Sequence, residues 1–413
     1  MELKLEVVVH FCMIAGVNFD MDRLERVERL MQDFADRTGL DGADAPQRYL
    51  WTDAFAVCNY LSLEKARGDG AFLDRARRLV EQVHEVLGAY AENDSRNGWL
   101  GGMDDREHSR APTRAGLRIG KQQPERGPDE AFDERREWDR DGQYFHYLTR
   151  WMHALERMAE ASGEGQYHHW AVDLAFAAFD GFVHRPTGGG APRMFWKMSV
   201  DLDRALVPST GHHDPLDGWV TAQALIASDH GDDAERRELA GRAEVYRKMF
   251  AGRDQATGDA LGIGGLLVDA WQLFRILPDV EDVSRDDVAE LVDAAGVGLG
   301  AVIGQRQLEA PPAHRLAFRE LGLATGLRAA ERLGASTRSP SGPDRLDDSL
   351  DEIADWPPLA AEIERTWLRP ENREFPAWVD HRDINDVMLA TCLAPVGYLG
   401  PAPDSESRKE VDS

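Results

Sequence analysis

The chain has 413 residues, 42% of them hydrophobic, and a net charge of −26 at neutral pH; it can bury a full core, and it is too acidic for nucleic acid or an anionic membrane to be its partner. Three scattered cysteines (Cys12, Cys58 and Cys392) form neither a disulfide framework nor CxxC metal spacing, so a reducing cytoplasm is expected. No apolar run reaches the roughly 18–20 residues of a membrane span, and the signal-like segment 7–17 follows an acidic start and lacks a small-residue cleavage site.

The apolar periodicity is helical almost from end to end. Residues 20–40 place Leu24, Val27, Leu30, Met31 and Phe34 on one face, with Asp20 opening the helix, so residues 1–18 could precede the natural start. Helices are predicted next over 48–68 and 72–91. A long Gly- and Arg-rich loop, 93–137, separates them from helices over 140–163 and 166–183. A second long loop, 185–213, leads to 214–228 and 233–250, followed by the pairs 261–277 with 285–303 and 314–333 with 349–368, and by a last helix, 383–397. No strand pattern competes with these twelve. The expected division is an amino-terminal extension (1–19), one all-α domain (20–400) and a disordered tail (401–413).

Helices apolar right round, as in "RYLWTDAFAVCNYLSL", alternate with helices that carry one apolar stripe and a charged back, as in "FLDRARRLVEQVHEVL". Such alternation suggests an inner ring of helices sheathed by an outer one, with the first helix closing the ring against the last. Six hairpins of this kind resemble the (α/α)6 toroid of the six-hairpin glycosidase superfamily. That group includes glucoamylase-like and unsaturated-uronyl hydrolases, and the similarly built N-acylglucosamine and cellobiose 2-epimerases. The aromatic-rich "RYLWTDAFAVCNYLSL" and "GQYFHYLTRWMHALERM" are similar to inner helices of the epimerase branch. The resemblance spans nearly the whole chain by architecture and matches no family signature residue for residue. It therefore implies a fold and a cleft at the amino-terminal ends of the inner helices, and assigns no catalytic residue.

Those ends hold Arg48, Tyr49, Trp51 and Asp53; then Trp138, Arg140, Asp141, Gln143, Tyr144 and His146; then His212, His213, Asp214, Asp217 and Trp219. The fourth, "LGIGG", is small and nearly featureless. The fifth offers His314, Arg315, Arg319 and Glu320, and the sixth His381, Arg382, Asp383, Asn385 and Asp386. The long loops would add Trp99, Arg118, Lys121, Arg193, Trp196, Lys197, Asp201 and Arg204 over the same face. Aromatic faces bind sugar C–H surfaces, planar polar groups bind hydroxyls, and glycosidic cleavage needs a carboxylic acid and a second carboxylate.

The leading expectation is a glycoside hydrolase with Asp217 or Asp141 as general acid and Asp53 or Asp383 as base. Arg48, Trp51, Tyr144, His146, His213, Lys197, Trp219, Arg315, His381 and Arg382 would contact a small-molecule or oligosaccharide substrate. The basic set Arg118, Lys121, Lys197, Arg315 and Arg382 hints at an anionic sugar such as a uronate. The same residues have structural readings: Asp214 before Pro215 makes a good N-cap, and Asp141 and Asp383 suit first helical turns. An epimerase would instead use His146, His213, His314 or His381, and a non-catalytic toroid would spend the rim carboxylates on caps and ion pairs. No HxxxH or HxH spacing supports zinc, so neither a metal nor a cofactor is expected. Nothing in the sequence bears on oligomeric state.

Overall fold

The computed structural model describes residues 21–42, 45–186, 188–337 and 344–402. The amino-terminal extension with Cys12, Asp20 and residues 403–413 of the expected tail lie outside the described residues. The fold is all-α, with 17 α-helices among the described residues. In chain order they are α1 (Met21–Arg37), α2 (Leu50–Arg67), α3 (Ala71–Leu87), the short α4 (Asp105–Arg110) and α5 (Glu134–Asp139), α6 (Phe145–Ser162) and α7 (Gln166–Phe182). After them come α8 (Asp214–Ile226), α9 (Asp233–Phe250), α10 (Ala260–Ile276), α11 (Arg285–Gly304), α12 (Ala317–Ser336), α13 (Arg345–Glu352) and α14 (Pro358–Leu368). The chain closes with α15 (Pro376–Val379), α16 (Arg382–Leu393) and α17 (Val396–Leu399).

The two kinds of helix read from the sequence differ in burial as expected. Every residue of α2 from Leu50 to Leu63 is buried, whereas α3 buries only a stripe that includes Phe72, Ala76, Leu79, Val83 and Leu87. The more deeply buried helices pack on one another in succession: α2 on α6, α6 on α8, α8 on α10, α10 on α12, α12 on α16, and α16 on α2 again. Each also carries a striped neighbour: α3 on α2, α7 on α6, α9 on α8, α11 on α10, α14 on α12 and α1 on α16. One hydrophobic cluster runs through all of them, from Leu24 to Leu399. Capping boxes start α9 (Asp232 with Glu235), α11 (Ser284 with Asp287) and α13 (Asp344 with Asp347).

Three departures from the sequence reading have local causes. The helix expected over 349–368 is two, because Pro357 and Pro358 supply no amide to continue the ladder past Ile353. Five short strands occur where none was expected. These are β1 (Gln143–Tyr144), β2 (Val183–His184), β3 (Arg193–Met194), β4 (Lys197–Met198) and β5 (Ala205–Val207). The antiparallel order β1-β4-β5 fastens the second long loop to the residues just ahead of α6, with Gln143 opposite Met198 and Tyr144 opposite Lys197.

The third departure lies after Leu393, where the last expected helix stops and the chain turns inward as α17. The carbonyls of residues 397–400 are taken up by side chains from three helices, α6, α10 and α12. His153 Nε2 lies 2.8 Å from the Tyr398 oxygen, and Arg157 Nε donates to Gly397 at 2.9 Å. Trp271 Nε1 donates to Leu399 at 2.7 Å, and Arg332 Nη1 to Gly400 at 2.9 Å. Gly397 meets α2 so closely that a Cβ there would stand 2.0 Å from the Cys58 carbonyl oxygen.

The most extensive helix contact is between α10 and α12. A Cβ on Gly264 would stand 2.2 Å from the Gly322 carbonyl oxygen, and one on Gly326 would stand 2.5 Å from the Gly264 Cα. Gly334, exposed on α12, has nothing within 4 Å of its Cβ position. Gly264→Ala should therefore overpack the contact at a cost of about 1–3 kcal/mol, whereas Gly334→Ala should gain about 0.5–1 kcal/mol from helix propensity. Thermal melts of the two variants should move in opposite directions from the parent.

Candidate functional site

A cleft of about 630 Å³ opens where the first turns of the buried helices come together. Trp51 comes from α2, His146, Tyr147 and Arg150 from α6, and Asp214 and Asp217 from α8. Gly262, Gly265 and Asp269 come from α10, Phe318, Arg319 and Gly322 from α12, and Ile384 and Met388 from α16. The glycines of "LGIGG", bland in the sequence, leave room along the α10 wall. Tyr398 of α17 closes the cleft at its depth.

Arg150 is the centre of this depth. Its Nη2 lies 3.3 Å from Asp217 Oδ1 and its Nη1 lies 3.9 Å from Asp269 Oδ1. Burial works against the guanidinium charge, but Tyr398, Asp217 and Asp269 outweigh it and hold the group charged. Burial pushes the Asp269 carboxyl well above the ordinary range, and the charge of Asp217, within hydrogen-bond reach, pushes it further while Arg150 opposes. Two carboxyls that close cannot both ionise at little cost, which favours the protonated form of Asp269.

Asp214 stands beside this pair. His213 is the cap residue of α8 and makes no side-chain cap bond; Asp214 is the first helical residue, so it does not fill the capping role expected of it. Its Oδ2 abuts Gly211, where a Cβ would lie 2.3 Å away, and has no well-aligned hydrogen bond. Burial, then the charge of Asp217, raises its pKa well above the ordinary range, which leaves a neutral acid facing the cleft. His146 Nδ1 lies 3.8 Å from Asp214 Oδ1, and burial pushes the His146 pKa down to about 4 although 29% of the side chain stays accessible. Near pH 7 it is a neutral imidazole.

Aromatic rings line the mouth. Trp196, brought in by the β1-β4-β5 sheet, packs edge-on against Trp138 at 5.1 Å and lies 6.2 Å from the His146 ring, nearly parallel to it. Trp51 meets Phe318 at 6.3 Å on the other side. His213 also lines the cleft, held by an Nε2 contact of 2.8 Å to the Gln255 carbonyl.

A second cavity of about 740 Å³ adjoins the cleft, and Tyr49, Lys121, His381 and Ile384 line both. Arg48, Asp53, Arg382 and Asp383 belong to this second space and not to the cleft. Asp53 accepts from the Tyr49 amide at 2.9 Å and pairs with Arg48 at 3.5 Å, while Asp383 is tied to Arg37 at 2.8 Å. Arg118 also lines the second space, whereas Asp141, Tyr144, Lys197, Trp219, His314 and Arg315 line neither. Asp141 bonds Arg118 through Oδ2 and the Gly120 amide through Oδ1, stapling the first long loop. Lys197 spends its ammonium on the carbonyls of Glu137 and Arg140 and on the Glu137 carboxylate. Arg315 is forked onto Glu320, Trp219 packs behind α8 on Phe250 and Arg247, and Tyr144 lies behind Trp196. A third cavity, about 490 Å³, lies at the carboxyl ends of α6, α8 and α10; its Glu156 and Glu160 are engaged by His168, Arg157 and Arg275.

Sequence reading thus found Asp217, His146, His213, Trp51 and His381 at the cleft and missed Arg150, Asp269 and Tyr398. The signal for the first two was present. A lone Arg in "YLTRWMH" and a lone Asp in "LLVDAWQ", each inside a helix otherwise apolar all round, need buried partners. Among the described residues no group of His, Cys, Asp or Glu is arranged to hold a metal ion, and no helix is long and apolar enough to cross a membrane. No protein-family model matches the chain, and no curated protein matches its sequence.

Burial raises the Asp53 pKa from 3.8 to about 6, against the pull of Arg48 and the Tyr49 amide. The folded state therefore holds this proton more tightly than the unfolded one. The resulting stabilisation is complete below about pH 4 and is lost as pH rises through 6, a change of about 3 kcal/mol. Denaturant titrations of Asp53→Asn should show a stability profile flatter than the parent's between pH 4 and 6.

Proposed function

We propose that the succession of buried and striped helices is an (α/α)6 toroid, and that the protein is a carbohydrate-active enzyme that hydrolyses a glycosidic bond in the cleft at the helix amino-terminal ends. The observation that carries this reading is the set of three buried carboxyls, Asp214, Asp217 and Asp269, gathered around Arg150 beneath aromatic rings. Asp217 and Asp269 are too near each other to flank a glycosidic bond, which needs about 5–5.5 Å for retention or 6.5–9.5 Å for inversion. They serve as one unit. Asp214, neutral and lacking a hydrogen bond on Oδ2, gives its proton to the leaving oxygen, while the pair takes a proton from the attacking water. Arg150 and Tyr398 keep the charge on that pair localised. This arrangement moves the acid from Asp217 to Asp214 and replaces Asp53 and Asp383 as base. The unpaired, buried thiols of Cys58 and Cys392 suit a cytoplasmic setting.

A 2-epimerase is the second reading, favoured by one observation: the neutral, accessible ring of His146 beside the Asp214 carboxyl. Incubation of the protein with a panel of labelled oligosaccharides and free sugars, read by chromatography and proton NMR, separates the two. Hydrolysis predicts new reducing ends, and a drop of about 10²–10⁴-fold for Asp214→Asn and Asp217→Asn. Epimerisation predicts inverted sugars without chain cleavage, and a comparable drop for His146→Gln. Absence of turnover with every sugar, together with absence of binding, would remove the carbohydrate reading and favour a scaffold.

A further inference from the structure

We infer that the second cavity is an anion subsite, in which Lys121 and Arg382 receive a carboxylate or phosphate group carried by the molecule whose neutral part lies in the cleft. The inference rests on the proposed carbohydrate reading for the occupant of the cleft, and on independent geometry for the subsite.

The cavity is basic in a strongly acidic chain, and most of its cations are already committed. Arg118 is held by Asp141 and the Ala89 and Val86 carbonyls; Arg37 is held by Asp383 and Asp386; Arg48 is held by Asp53 and the Thr38 carbonyl. Lys121 differs. Its Nζ has no ion pair or hydrogen bond among the described residues and lies about 6 Å from the rings of Trp138 and Tyr144, where the two spaces meet. Arg382 reaches Asp386 only at 3.5 Å, and half of its side chain is exposed. His381 stands on the shared wall beside it. The cleft proper has no such spare cation, because Arg150 is engaged by Asp217 and Asp269 and Arg319 by Asp259, so it suits a neutral ring better than an anion. A substrate with a neutral ring and a terminal anion fits both spaces at once. Burial and the charge of Lys197 lower the Lys121 pKa to about 8, against Glu137, Asp139 and Asp141; the cation is present at neutral pH and is lost as pH rises through 8.

Calorimetric titration of the full chain tests this with four probes: a uronate-containing disaccharide, its carboxyl-reduced neutral counterpart, a sugar phosphate of similar size and inorganic phosphate. One charged disaccharide-sized probe should bind at least about tenfold more tightly than the neutral one. That preference should weaken with added salt and between pH 7 and 9, vanish in Lys121→Met and persist in Lys121→Arg. Which charged probe wins distinguishes a sugar acid from a phosphate ester. Equal binding of charged and neutral probes, unchanged by salt, overturns the subsite and leaves the carbohydrate reading intact. Binding of phosphate that depends on Lys121, with no sugar bound, keeps the subsite and removes the carbohydrate reading; failure of all four probes removes both. The salt and pH series use the unaltered protein, so they stand even if Lys121→Met does not fold.

Discussion

A guanidinium in the middle of a bundle must find its counter-charges where it stands, since desolvating an isolated ion would cost more than a folded domain has to spare. Arg150 meets that requirement with the carboxyl pair of Asp217 on α8 and Asp269 on α10, and it has the neutral Tyr398 phenol of α17 beside it, three groups that are remote in sequence. The constraint works in both directions. It holds α6, α8, α10 and α17 in one relative placement, and it brings two carboxyls together in the depth of the cleft, which favours a proton on Asp269. Positioning and reactivity in the cleft thus have one physical origin.

The arrangement of helices was legible because burial writes itself into periodicity. A helix surrounded by others cannot carry a charged face, and "LWTDAFAVCNYLSL" has none; α3, with solvent on one side, carries Arg77, Arg78, Glu81 and Glu85 there. Proline and capping signals placed most boundaries. What periodicity cannot reveal is pairing between residues that have no regular spacing. The two-residue strands β1 and β4 lie about fifty positions apart, and their few ladder bonds leave no alternation to detect. For the same reason the inward turn after Leu393 was read as a helix running on to Gly397.

Within the cleft, reading the ends of helices found what lies at the ends. It recovered Asp217, His146, His213, Trp51 and His381, and it overlooked Arg150 and Asp269, which lie deeper along the helices. The misplaced residues share a different cause. Lys197 and Asp141 are charged groups in or beside the long loops and Arg315 lies just ahead of α12, and composition cannot tell a charge aimed at a ligand from one consumed in holding the chain. Lys197 is fully buried and three times bonded, whereas Lys121 is free at its tip among the described residues; in sequence the two look alike.

The inward turn of α17 also bears on how the molecule comes into being. His153 and Tyr398 are 245 positions apart, and Arg157 and Trp271 lie 240 and 128 positions from their partners in this segment. At roughly 5–20 residues per second of synthesis, α6 has left the ribosome for ten seconds or longer before its partner is made. Until then α2, α6 and α10 lack their contacts with α17, and Arg150 lacks the phenol beside it. A nascent chain can bury most of its apolar surface in that interval, but it has no cleft with a floor. That floor arrives late in synthesis, with the four residues of α17.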